Sequence, residues 1–149
     1  MGILLAIQGA ASQGVLWGIM ALGLYITFKV LDFADLTVDG SFALGGSVTA
    51  VLLVNGWNPF LSLLIAFIAG GISGVVTGLL HTKLEIPGIL AGILTMIALY
   101  SINIRIMGQA NTPLLGVDTV MSFFEETMGM NRTVSSLVVG VLFSVVIIL

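Results

Sequence analysis

Asp32, Asp35 and Asp39 place three carboxylates within eight positions of a largely apolar sequence. They belong to the stretch Asp32-Phe33-Ala34-Asp35-Leu36-Thr37-Val38-Asp39-Gly40-Ser41-Phe42, where Thr37 and Ser41 add hydroxyls. Two chemistries suit this pattern. One is helix capping, because Asp is among the preferred N-cap residues: Asp39 precedes Gly40-Ser41-Phe42, and Asp35 precedes what could be a short helical turn. The other is the polar turn of a broken membrane helix, lining a gate or contacting a cytoplasmic partner. A calcium loop does not fit, since the EF-hand spacing and its terminal Glu are absent. The chain has no cysteine, which removes thiolate metal sites and disulfides. No metal and no cofactor is expected.

Catalytic patterns are weak. Ser73, in Gly71-Ile72-Ser73-Gly74, could be set against His81 as nucleophile and base, but both would lie on one helix, roughly 12 Å apart along its axis. Nucleophilic catalysis needs the two within hydrogen-bond reach. The chain carries no G-x-x-x-x-G-K-[ST] and so no P-loop for ATP. A non-catalytic protein is the reading.

Composition says what must position these residues. The chain has 149 residues, 58% hydrophobic and 7% charged, with a mean hydropathy of +1.23. Soluble domains carry about 25% charged residues. There is too little polar surface here to coat a globule, so the chain belongs to the membrane class. The net charge is −3, and Lys29, Lys83, Arg105 and Arg132 are scattered singly, which excludes a basic patch for nucleic acid or anionic lipid.

A membrane helix needs roughly 20 apolar residues. Five segments approach this: about 3–28, 40–54, 60–80, 87–107, and one from about 133 that reaches the last residue. Asn55-Gly56-Trp57-Asn58-Pro59 reads as a turn, with Pro59 starting the next helix. His81 to Glu85 reads as a short polar loop, and Val120 to Met128 as an amphipathic helix on the membrane surface. The expectation is an all-α polytopic bundle of about five spans, with the acidic stretch as a polar elbow between spans 1 and 2. It is one transmembrane domain over 1–149, the N-terminal part of a longer protein, truncated in the fifth span. An ionised carboxylate in hydrocarbon is costly, so the elbow must sit at an interface, in a wet cavity or against protein. The positive-inside bias of the short loops places Lys29 and Lys83 in the cytoplasm.

Gly70, Gly74 and Gly78 recur every four residues and so share one helix face. Glycine there lets another backbone approach closely, so this face is expected to serve helix packing. Gly14/Gly18 and Gly88/Gly92 repeat the spacing.

Several stretches resemble the bacterial ABC-importer permeases for branched-chain amino acids and ribose. Gly14-Val15-Leu16-Trp17-Gly18-Ile19-Met20-Ala21-Leu22-Gly23-Leu24 is similar to their first helix. Leu31-Asp32-Phe33-Ala34 resembles the I-N-F-A of the amino-acid members. Asp35-Leu36-Thr37-Val38-Asp39-Gly40-Ser41 resembles the D-L-S-V-G-S of the sugar members, with one extra residue. Ile86 to Met96 is similar to their P-x-x-x-x-T-L-G-x segment, with Ile93-Leu94-Thr95-Met96 departing from it. The run from Leu31 to Gly46 looks closest to the aromatic or uncharacterised amino-acid subgroup.

The resemblance implies an inner-membrane, multi-pass permease subunit for a small solute, most plausibly an amino acid. Its implied partners are two ABC ATPase subunits, a second permease copy, an extracytoplasmic solute-binding protein and membrane lipid, with no nucleic acid. ATP hydrolysis would lie in the ATPases. In these families a later basic loop engages the ATPase, and this sequence stops before it. The residues named for a gate or translocation elbow are Asp32, Asp35, Thr37, Asp39 and Ser41. The alternative is a secondary transporter or channel using intramembrane carboxylates.

Overall fold

The computed structural model describes residues 2–129 and 132–148. Among these there is no strand. Six helices follow in order: α1 (Gly2–Leu31), α2 (Thr37–Val54), α3 (Pro59–Lys83), α4 (Gly88–Met107), α5 (Val120–Met128) and α6 (Arg132–Ile148). Four stretches are long and apolar enough to cross a membrane: Gly9–Leu31 of α1, and the whole of α2, α3 and α4. α6 covers the fifth expected span with 17 residues. Helices are the form a segment without a closed barrel must take in lipid, because each backbone N–H and C=O is satisfied within the segment. The chain is an all-α, multi-pass membrane protein.

The helix ends follow local chemistry. Asn58 Oδ1 accepts the Phe60 N–H at 2.9 Å, with Pro59 in the first turn, so the Asn55–Pro59 turn forms as expected. Gly56 takes a φ of 78°, a left-handed conformation that glycine adopts freely. α4 ends on Gly108, also left-handed. α5 has the expected bounds. Its capping box pairs the Ser122 N–H with Thr119 Oγ1 at 3.2 Å, and the Thr119 N–H with Ser122 Oγ at 2.6 Å. The end of α3 differs from the sequence reading. His81, Thr82 and Lys83 form the last turn of α3 and not a loop. Thr82 Oγ1 donates to Gly78 O at 2.7 Å, which prolongs the helix on its own backbone.

The chain forms two compact units, Leu24–Val117, and Met1–Gly23 with Asp118–Leu149. In the second, α5 packs on α6, and Gly140 lies so close to α1 that a methyl group there would come within 2.6 Å of Val15 Cγ1. In the first, α2 packs against both α3 and α4.

The interior of the Leu24–Val117 unit combines polar and small residues with Leu44, Leu53 and Leu99, and its exterior is largely apolar. Thr37, Ser47, Ser62, Ser73, Thr77, Thr95 and Asn103 are buried, whereas Phe67 is 81% exposed and Tyr100 68% exposed. This suits a bundle whose solvent is hydrocarbon. Association there relies on small residues, tight packing and interhelical hydrogen bonds, not on burying large apolar side chains.

Close backbone approach is concentrated on α4. A methyl group at Gly40 of α2 would lie 3.0 Å from Met96 Cα, and one at Gly92 would lie 3.0 Å from the Leu36 N and 2.9 Å from Asp35 Oδ1. Gly92→Val should therefore overpack the seam at a cost of about 1–3 kcal/mol. The thermal midpoint of the purified subunit should fall. Gly45→Ala is the matched control, since nothing among the described residues lies within 4 Å of its added methyl, and it should leave the midpoint unchanged.

Candidate functional site

The acidic elbow breaks the path between α1 and α2 at residues 32–36. α1 stops where the Asp32 N–H bonds to Phe28 O at 3.0 Å and Asp32 turns left-handed, with φ 60°. Asp and Asn are the non-glycine residues that best tolerate that region. Lys29 in the same last turn lies 5.9 Å above the Tyr25 ring, where a cation meets the negative ring face.

α2 starts three residues earlier than the sequence segment suggested: Leu36 holds the N-cap position without a side-chain bond of its own, and the carboxylate that meets the first turn is Asp35 and not Asp39. Asp35 Oδ1 accepts the Thr37 N–H at 2.9 Å, satisfying one of the free donors of the first turn. Asp39 sits inside that turn and is exposed. A carboxylate there is favoured by the helix dipole without closing a capping bond. Asp32 is also exposed. Ser41 is half-buried, its Oγ donating to Val38 O at 3.1 Å. Of the five elbow residues, the fold thus draws Asp35 and Thr37 together at the interior and leaves Asp32 and Asp39 at the surface.

Thr37 leads into a feature absent from the sequence reading. Its hydroxyl lies 2.7 Å from Thr77 Oγ1 of α3, which lies 2.9 Å from Thr95 Oγ1 of α4. All three are at least 96% buried. Thr95 donates to Ala91 O at 3.1 Å and Thr77 to Thr95, so the remaining proton in the ladder runs from Thr37 to Thr77. One proton per hydroxyl thus gives a directed chain from the first turn of α2, across α3, to the backbone of α4. Thr77 is also within 3.3 Å of Ser73 O. Farther along, Ser47 Oγ lies 2.9 Å from Leu44 O and 3.3 Å from Asn103 Oδ1, a second tie between α2 and α4.

These residues had a legible signal. Thr37, Gly40, Leu44 and Ser47 recur at steps of three and four on α2, as Gly88, Gly92, Thr95, Leu99 and Asn103 do on α4. Polar and small side chains at helical spacing within an apolar span mark an inward face.

Beside the ladder, α3 and α4 line a groove of about 500 Å³ with Ile72, Val76, Leu94, Ala98 and Ile102, and Leu44 of α2 is also on its wall. Ser73 and Thr95 border it, but their hydroxyls are bonded to Gly70 O and Ala91 O. Ser73 and His81 are not brought together. His81 Nδ1 pairs with Ile86 O at 2.8 Å and its ring meets Phe33. Gly70, Gly74 and Gly78 have nothing within 4 Å of an added Cβ among the described residues. The described residues hold no cluster of three or more His, Cys, Asp or Glu suited to a metal.

What the arrangement can do is hold α2, α3 and α4 in register, with a break at one corner. Thr77→Val should strip Thr37 of its acceptor and lower stability by about 0.6–1.7 kcal/mol, the range of interhelical hydrogen bonds in membranes. Thr77→Ser should retain most of it. Asp35→Asn should melt like the parent, because Asn caps as well as Asp, whereas Asp35→Ala should cost about 0.5–2 kcal/mol. Thermal unfolding of the full-length subunit in detergent reads all four variants.

Comparison with known proteins places this geometry. A family model described as branched-chain amino acid transport system / permease component matches residues 6–149. A tyrosine transport system permease protein of Clostridioides difficile is 50% identical over 103 residues, covering 69% of this chain and 35% of its own length. An uncharacterized protein of Rickettsia prowazekii is 38% identical over 116 residues, 78% of this chain and 41% of the relative. A probable branched-chain amino acid transport permease of Methanocaldococcus jannaschii, LivH, is 35% identical over 113 residues, 72% of this chain and 34% of the relative. The chain thus spans little more than a third of the length of these relatives. No solved structure matches it. With a family match along nearly its whole length and apolar helices able to span the bilayer, the chain is a multi-pass protein of the bacterial inner membrane and belongs to the branched-chain amino acid transport system permease family.

Proposed function

We propose that this chain supplies part of the membrane path of an ATP-driven importer for an amino acid, with aromatic amino acids the first candidates. The observation that carries the reading is the family match over residues 6–149. The 50% identity to a protein named as a tyrosine transport permease directs it to aromatic substrates. The subunit itself performs no hydrolysis. Two ATPase subunits, a second permease copy and an extracytoplasmic binding protein complete the machine, with Lys29 and Lys83 on the cytoplasmic side.

Within that frame the elbow is the gate corner. Asp35 and Thr37 fix the start of α2, Ser41 lies one turn on, and Asp32 and Asp39 offer exposed charge to a wet path or a partner. The Gly70, Gly74 and Gly78 face of α3 receives another membrane helix of the assembly. The rival reading, a carrier whose carboxylates ferry protons or cations, gains nothing from Asp35, whose oxygen serves as a cap.

Uptake decides between them. Cells lacking the gene for the full-length subunit should lose high-affinity uptake of labelled tyrosine, and complementation should restore it. Restored uptake should persist when a protonophore collapses the proton gradient while ATP is maintained, and should stop when ATP is depleted. Uptake that follows the gradient instead of ATP would establish the carrier. Unchanged tyrosine and leucine uptake in the deletion strain would remove the amino-acid reading.

A further inference from the structure

The elbow touches a second linker as well as α2. The Phe33 ring lies directly over the Cα of Gly88, so closely that a methyl group there would overlap three ring atoms. The same ring lies 5.4 Å from the His81 imidazole, tilted by 60°, a favourable aromatic arrangement. His81 is itself held, its Nδ1 paired with Ile86 O at 2.8 Å. That bond folds linker 84–87 back onto the last turn of α3. Pro87 then leads into Gly88 with a fixed φ of −51°. One turn farther along α4, Gly92 receives Asp35 and the Leu36 N–H. The walls of the socket therefore come from the α3 end, the linker and the α4 start, and the elbow supplies the plug.

We propose that Phe33 is the positioning residue of the elbow: seated on Gly88 and against His81, it binds the α1–α2 elbow to the α3–α4 linker, so that the two linkers shift as one body during transport. The proposal rests on the importer reading for its transport consequence. Its geometric half does not. Phe33 touches neither solute nor nucleotide. It acts through Asp35, whose cap on Thr37 stays in place only while the elbow lies against Gly92. With glycine at 88 the socket takes a full aromatic ring, because Gly88 leaves bare Cα under a flat surface and the imidazole closes one side.

The test exchanges bulk across the contact. The chain has no cysteine of its own, so Ala34→Cys, in a full-length subunit otherwise free of cysteine, reports the elbow's exposure to a maleimide in native membranes. Phe33→Ala should raise the labelling rate about tenfold, the size of change expected when a local opening equilibrium loses one buried aromatic contact. Gly88→Ala should do the same by pushing the ring out. Combining Gly88→Ala with Phe33→Leu, which makes room for the new methyl, should return labelling towards the parent rate. Phe33→Tyr, which keeps the ring, should label like the parent.

Uptake by the same variants, at matched amounts of membrane-inserted protein, should follow labelling. The maximal rate should fall and recover while the half-saturating substrate concentration stays constant. Labelling that is unchanged in Phe33→Ala and Gly88→Ala overturns the proposal. So does labelling that changes and recovers while uptake stays at the parent level, because Phe33 is then mere filling. Should the parent subunit show no ATP-driven uptake, the importer reading fails, and the labelling series still decides whether Phe33 sets the elbow.

Discussion

A chain that leaves the helix between two membrane spans must find partners for the backbone and side-chain polar groups it frees. Between Leu31 and Thr37 this requirement governs the structure. A buried polar group left without a partner costs roughly 1–3 kcal/mol. The break survives because Asp35 caps Thr37, the Asp32 N–H returns to Phe28, and Thr37 delivers its hydroxyl to Thr77 and on to Thr95. The glycines follow from the same demand. The elbow can reach α3 and α4 only if α4 presents no side chain where it lands, and Gly88 and Gly92 stand at those points.

The interior of the Leu24–Val117 unit consequently mixes hydroxyls, glycines and alanines with three leucines, Leu44, Leu53 and Leu99, and its outside carries most of the large aliphatic and aromatic side chains. In water that distribution would favour aggregation. In lipid it is the stable one, since tails solvate the exterior and the directional bonds inside select one register. The same physics separates two glycine patterns. Gly40, Gly88 and Gly92 are met closely by backbone or side chain, while Gly70, Gly74 and Gly78 meet nothing within 4 Å among the described residues. A regular four-residue repeat therefore does not by itself reveal which face is occupied.

Much of this was legible in the residues. The apolar runs gave the helices, Pro59 the start of α3, and Val120 to Met128 an amphipathic helix whose bounds match. The carboxylate cluster marked the break in the right place. Its inner logic was not legible. Asp35 and Asp39 are equally good caps by residue type, and the choice depends on which of them faces Gly92, a tertiary fact. The threonine ladder escaped because Thr77 and Thr95, read one at a time, are ordinary hydroxyls that bond back to their own helix. Only the assembled bundle sets them 2.9 Å apart. Phe33 escaped for a similar reason, as a lone aromatic in a loop carries no sign of the bare Cα it will cover.

The central claim is that a capped, non-helical corner joins two spans within the membrane protein. Residue-resolved amide hydrogen exchange on the full-length subunit in lipid nanodiscs addresses it most directly. The Thr37 N–H should be protected to nearly the level of the α2 interior, with fast exchange at Phe33 and Ala34 immediately before it. Uniform protection from Ala21 through Val51 would mean one unbroken helix, and fast exchange continuing through Ser41 would mean an uncapped loop. Either result would contradict the elbow as described.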